Sequence, residues 1–354
     1  MTLAQTNHAM PNRLTKSRVL HWGLLGGVFL VSLASLATGA TDVSIVTVLA
    51  KLTQGQPLSR IEQVVLVDIR LPRLAMGLCV GAALAVSGAV MQGVFRNPLA
   101  DPGIVGVSAG AGLGAILAIV LGAMLPVGIL TVVGSQLVTI SAFLGGWGAT
   151  ILLYRVSTRH GRTSVATMLL AGIALAALVG AASGGLIYLA DDAQLRDVNF
   201  WSLGSLAGAS WTKLMVAAPI MAGSIVGACL LGSGLNALAL GEATAHHIGI
   251  DVQRLKNLAI LAVAAATGAA VAVSGGIGFI GIVVPHLLRL ATGPDHRALL
   301  PNAALLGAIL LVLADMISRV VIAPAELPIG IVTAILGSPV FLWVLLRQKG
   351  VVDL

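Results

Sequence analysis

Guanidinium groups are the most prominent chemistry in this sequence. Arg70 and Arg73, in Arg70-Leu71-Pro72-Arg73, stand at the mouth of an apolar run that continues to Phe95. Such groups stay charged and offer fork-shaped donors that match carboxylates. Asp315 and Arg319 lie four residues apart in another apolar run, a helical spacing at which acid and base face each other. Bond-making machinery, in contrast, is not assembled. Ser183-Gly184-Gly185 and Ser274-Gly275-Gly276 lack a histidine partner in their apolar surroundings and read as small-residue packing. No Gly-Lys dipeptide occurs, hence no phosphate-cradling P-loop. Cys79 and Cys229 fall inside apolar runs and behave as small hydrophobes.

The elements that must position these groups are membrane spans. Of 354 residues, 58% are hydrophobic and 9% charged, with a mean hydropathy of +1.02, more apolar surface than a soluble domain can hide. The expected fold is an all-α polytopic membrane protein with ten transmembrane helices, near 20–40, 68–95, 103–124, 128–153, 164–189, 211–232, 257–274, 277–291, 301–322 and 329–347. The first, preceded by Arg13, Lys16 and Arg18, reads as an uncleaved span because its apolar run exceeds a secretory signal core. An even count puts both termini on one side. Thirteen of the 20 Lys and Arg residues then fall on the terminal side, most densely at Arg155, Arg159 and Arg162, which makes that side cytoplasmic. Basic flanks against anionic lipid also explain the pI near 10.1 without nucleic acid. Residues 1–19 and 348–354 form cytoplasmic tails around a single domain, 20–347.

Within the second span, small residues, the amide of Gln92 and the breakers that follow replace the leucines a simple anchor favours, which points to passage rather than anchoring. Glycine and alanine recur every fourth residue at Gly106, Gly110, Gly114, at Gly172, Ala176, Gly180, Gly184 and at Gly268, Ala272, Gly276, forming flat stripes for close helix packing in lipid. Asn97-Pro98-Leu99-Ala100-Asp101-Pro102-Gly103 reads as a cytoplasmic turn in which Asn97 and Asp101 cap exposed amides and Pro98 and Pro102 restart helices. The segment 233–256 contains a soluble-looking island, Leu235–Ile250, with room for one or two short helices along the membrane face. It serves either as a solvated connector or as a docking surface for a cytoplasmic partner. Of the seven histidines, His8, His21, His160, His246, His247, His286 and His296, none falls outside or near the membrane midplane in this topology.

Five segments in order, Arg70-Leu71-Pro72-Arg73, Gly81 through Asn97 to Pro102, Leu240-Gly241-Glu242, Gly276-Ile277-Gly278-Phe279 through Pro285-His286, and Glu326-Leu327-Pro328-Ile329-Gly330, resemble the permease family of ABC importers for iron complexes, haem and cobalamin. The resemblance implies a homodimer in the bacterial inner membrane, two cytoplasmic ATPase subunits that hold ATP and Mg, and a periplasmic binding protein. The permease is then no enzyme by itself and carries no resident cofactor or metal. It further implies that Arg70, Arg73 and Arg319 dock glutamates of the binding protein, and that Leu240, Gly241, Glu242 and Ala243 engage the ATPase. The wording of Met91–Asn97 and Trp201–Leu206 is most similar to haem permeases, ahead of ferric-siderophore and then cobalamin members. His286 belongs to a motif shared across the family and is no haem ligand. A rival of another class, the ion-coupled secondary transporter, has only Asp315 as an ionisable group well inside a span.

Overall fold

The computed structural model describes residues 13–39, 45–159 and 162–347, so His8, His160, much of the N-terminal tail and all of the 348–354 tail lie outside the described residues. The chain is helical nearly throughout: α1 (Arg13–Ala37), α2 (Ile45–Thr53), α3 (Arg60–Gln63), α4 (Leu71–Phe95), α5 (Val107–Leu121), α6 (Val127–Val133), α7 (Leu137–Ser157) and α8 (Val165–Leu189). There follow α9 (Asp192–Leu203), α10 (Trp211–Leu230), α11 (Gly232–Ala239), α12 (Glu242–His247), α13 (Val252–Ser274), α14 (Ile280–Thr292), α15 (His296–Val320) and α16 (Ile329–Arg347). Between α7 and α8 two short strands, β1 (Thr158–Arg159) and β2 (Arg162–Thr163), pair antiparallel with Thr158 opposite Thr163.

Among the described residues, eight helical segments are long and apolar enough to cross a membrane, while α14 and the apolar part of α16 are shorter. Of the ten expected spans, eight fall on helices of that length and two on these shorter apolar helices. The shortness of α14 has a backbone cause. Gly275 and Phe279 both take positive φ (71° and 68°), so the chain after α13 is bent before helix resumes at Ile280. Thirteen residues then rise only about 20 Å, less than the roughly 30 Å of a hydrocarbon core.

The axle of the bundle is α4, buried along almost its whole length from Pro72 to Val94 and packed against α15, α13, α10 and α14. Close approach is what its small residues permit. A side-chain carbon at Gly81 would overlap the Gly307 carbonyl of α15, and one at Gly88 would overlap the Gly281 carbonyl of α14. The first glycine stripe works the same way on α7: Gly110 lies against Gly145 and Gly114 against the Ser141 carbonyl. The stripe on α8 differs, because a side-chain carbon at Gly180 or Gly184 would meet nothing within 4 Å among the described residues.

The antiparallel packing of α4 and α15 defines two ends. One gathers the last turn of α1, the start of α4, the end of α15 and the approach to α16. The opposite end gathers the turn after α4, α11, α12, the β1–β2 hairpin and the starts of α13 and α15.

Candidate functional site at the two ends of the bundle

At the first end the chain enters α4 through a π-helical stretch, Val64–Arg70, and Pro72 occupies the first turn of α4, where its missing N–H costs little. The two arginines therefore project inward from a rigid start. Arg73 is gripped along two edges: Nε and Nη2 donate to Asp315 Oδ1 at 3.0 and 2.9 Å, while Nη1 and Nη2 donate to Glu326 at 2.8 and 2.9 Å. Arg319 Nη2 meets the other Asp315 oxygen at 3.1 Å, the four-residue pairing expected from spacing.

The remaining donors close the end of α1. The last carbonyls of a helix have no intrahelical partner and carry the negative end of its dipole. Arg70 Nη1 donates to Leu36 O at 2.7 Å, Arg319 Nη1 to Thr38 O at 2.9 Å, and Arg319 Nη2 to Ser35 Oγ at 2.9 Å. Gly39 leaves space for this, since a side chain there would press on the Arg70 guanidinium. All three arginines are consequently buried, at 5, 7 and 8% exposure for Arg70, Arg73 and Arg319. They do not stand out from the surface as docking groups would in the simplest picture. The outward member of the cluster is Glu326, whose side chain is 39% exposed. Among the described residues the cluster holds three guanidiniums and two carboxylates.

At the opposite end Gly241, at φ 107°, turns α11 into α12. Leu240, Ala243 and Ile248 face outward, Leu240 at 68% exposure, while Ala245 packs inward. Glu242 reaches back to Lys256 instead of extending away from the chain, with Nζ 2.7 Å from Oε1. Asn236 of α11 receives the His296 N–H at 2.9 Å and donates to Asp295 at 2.6 Å. Burial pushes the Asp295 carboxyl up, but the Asn236 amide, the Arg297 N–H and the nearby Arg297 and His296 charges outweigh it and hold the group below its usual range.

In the turn after α4, Arg96 is left-handed (φ 49°), Asn97 Oδ1 accepts the Leu99 N–H at 2.9 Å, and Asp101 Oδ1 accepts the Gly103 N–H at 2.7 Å, capping a single 3-10 turn that starts at Pro102. Pro98 is an exposed residue of the turn, and helix restarts at Pro102 and not at Pro98. Burial raises the Asp101 carboxyl above its ordinary range, with the Gly103 N–H opposing the rise. Asp101 lines a cleft of about 280 Å³ together with Ser108, Thr267 and Phe279. Gln92 is indeed buried: its amide nitrogen donates to Gly281 O at 3.2 Å and its oxygen accepts from Arg289.

Sequence reasoning missed four contributors: Glu326, Lys256, Arg289 and Thr163. Glu326 stood inside a recognised motif, and Lys256 was counted only as one of the cytoplasmic basic residues.

The chain is similar to known transport proteins along most of its length. The profile of the FecCD transport family matches residues 27–347. The hemin transport system permease protein HmuU of Yersinia pestis is 45% identical over 326 residues, covering 92% of this chain and 96% of that protein. The vitamin B12 import system permease protein BtuC of Salmonella typhi is 42% identical over 327 residues, covering 90% and 95%. Among solved structures, an inward-facing metal-chelate type ABC transporter superposes with a TM-score of 0.81 at 32% identity, covering 94% of this chain and 99% of that one.

Proposed function

The chain belongs to the FecCD transport family, and on that premise we propose that it passes haem, delivered by a periplasmic binding protein, across a bacterial inner membrane as the permease subunit of an ATP-driven importer. The family match along nearly the whole multi-span bundle carries the ABC-permease reading. Haem rests on the 45% identity to a hemin permease and on the wording around Met91–Asn97. Cobalamin, placed behind ferric siderophores on wording alone, becomes the second reading, because vitamin B12 permeases follow at 42% over a similar span.

In this reading two copies enclose the path. That is supported by α8, where Gly180 and Gly184 face open space among the described residues and Leu170 and Ile173 are exposed. Two ATPase subunits, each with ATP and Mg, lie beneath and receive the turn Leu240-Gly241-Glu242-Ala243, with Leu240 and Ala243 outermost and Glu242 turned back to Lys256. The apolar, outward Leu240 suits a protein cleft better than water. At the other end Arg70, Arg73 and Arg319 recognise binding-protein glutamates by exchanging partners, and half-exposed Glu326 is the acceptor that yields first.

The test is uptake into proteoliposomes holding the permease, its ATPase and its binding protein, with haem, a ferric siderophore and cobalamin compared. ATP-dependent haem entry is expected. Uphill transport by the purified chain without nucleotide would replace the reading with an ion-coupled secondary transporter, and entry of cobalamin in place of haem would reassign the cargo.

A further inference from the structure

Lys256, at the end of the bundle that carries α12, is buried with its side chain only 3% exposed. Removing such a charge from water is costly unless its donors are met. Here they are met by groups from two other elements. Lys256 Nζ, near the start of α13, lies 2.7 Å from Glu242 Oε1 at the first turn of α12 and 3.2 Å from the carbonyl oxygen of Thr163 in β2. Thr163 is itself clamped to α13: its N–H donates to Gln253 Oε1 at 2.9 Å, and Gln253 Nε2 donates to Thr163 Oγ1 at 2.7 Å. Gln253 also donates to Asn257, which accepts the Tyr154 hydroxyl from α7 at 2.9 Å. A continuous polar chain therefore runs from α12 through Lys256 to the hairpin and on to α7.

Resting on the permease reading, we infer that Lys256 is a positioning residue for ATP-driven transport: its bond to Glu242 and its bond to Thr163 make α12, the β1–β2 hairpin and the start of α13 move as one body when the ATPases act on α12. Glu242 is on this account the inward anchor of α12, and Leu240 and Ala243, which remain exposed, are left to meet the ATPase. A short helix of six residues has little stability of its own, so the tether adds a directional link from α12 to α13 beside the packing of Ala245.

The experiment uses the complete complex in proteoliposomes and reads cargo imported per ATP hydrolysed. Lys256→Met and Glu242→Gln are each expected to lower that ratio about tenfold, within the range of a residue that transmits coupling. The double variant is expected to be no worse than Lys256→Met alone, since that variant already loses the bond to Glu242 as well as the bond to Thr163. Lys256→Arg, which keeps charge and reach, restores most of the ratio. Glu242→Gln changes a half-exposed side chain with its shape kept, so it reports even where Lys256→Met folds poorly. An unchanged ratio in Glu242→Gln, or losses that add in the double variant, overturns the tether. Failure of ATPase subunits to co-purify with both single variants also overturns it, by making the pair an assembly contact. Absence of nucleotide-dependent uptake by the unaltered complex instead removes the permease reading.

Discussion

Asp315 is the residue on which the outer cluster depends most, and the cost of removing it follows from the geometry. Its side chain is 3% exposed and compensates two buried guanidiniums, Arg73 at 2.9 Å and Arg319 at 3.1 Å. Breaking a buried pair by deleting one partner costs about 3–5 kcal/mol, because the surviving charge stays desolvated. In Asp315→Asn each arginine keeps other acceptors, Glu326 for Arg73 and the α1 carbonyls for Arg319, which places the expected loss near the lower bound, about 3 kcal/mol. At a tenfold change per 1.4 kcal/mol, that is about a hundredfold shift in the folded ratio. Glu326→Gln serves as the internal control, since a pair with a 39% exposed member is worth at most about 1 kcal/mol. Unfolding in detergent, followed by helical circular dichroism, should therefore rank the variants with Asp315→Asn well below Glu326→Gln. Equal stability of the two would refute the claim that Asp315 compensates both arginines.

Other expectations follow from single contacts. Leu240→Asp places a charge on the outward face of the α11–α12 turn and should abolish co-purification with the ATPase while the melting temperature of the permease alone stays unchanged. Gly88→Val forces a side chain into the Gly281 carbonyl and should destabilise the isolated chain by roughly 1–3 kcal/mol, read as a lower melting temperature in detergent. Gly180→Val faces open space, so it should leave the melting temperature unaltered and reduce the dimer fraction caught by cross-linking. A drop in stability equal to that of Gly88→Val would show that α8 is covered within one chain.

Legibility from sequence followed contact range. Asp315 and Arg319 were readable as a pair because four residues bring them onto one helical face, whereas Arg73 meets Asp315 across 242 positions and nothing local in the sequence announces it. Glu326 was visible as part of Glu-Leu-Pro-Ile-Gly, but a motif names a neighbourhood and does not say which cation the carboxylate faces. Apolar runs marked most of the spans, since a window of hydropathy reports composition over about 20 residues. The same window misjudged 277–291, where Ile277 and Phe279 count as apolar although the left-handed backbone at Phe279 delays the helix to Ile280. The basic cluster at Arg155, Arg159 and Arg162 carries the expectation of which side faces the cytoplasm. It gave no hint of the hairpin, which is fixed by Thr163 and its bonds to Gln253, a residue 90 positions away.

The distribution of strong contacts sorts the helices into groups. Ion pairs and helix-end bonds join α1, α4, α15 and the approach to α16 at one end, and α7, α12 and α13 at the other. α4 and α13 pack together, and both bury many small residues, among them Ala83 and Ala89 on α4 and Ala264, Ala266, Ala269 and Ala270 on α13. Surfaces of this kind adhere through many weak dispersion contacts and hold few directional bonds that a displacement must break. Tethered groups that meet along smooth faces can shift as bodies while their ends keep register, the shear type of movement open to packed helices. The residues that matter for such motion are then the polar tethers at the ends, and the glycines and alanines between them set how closely the bodies approach.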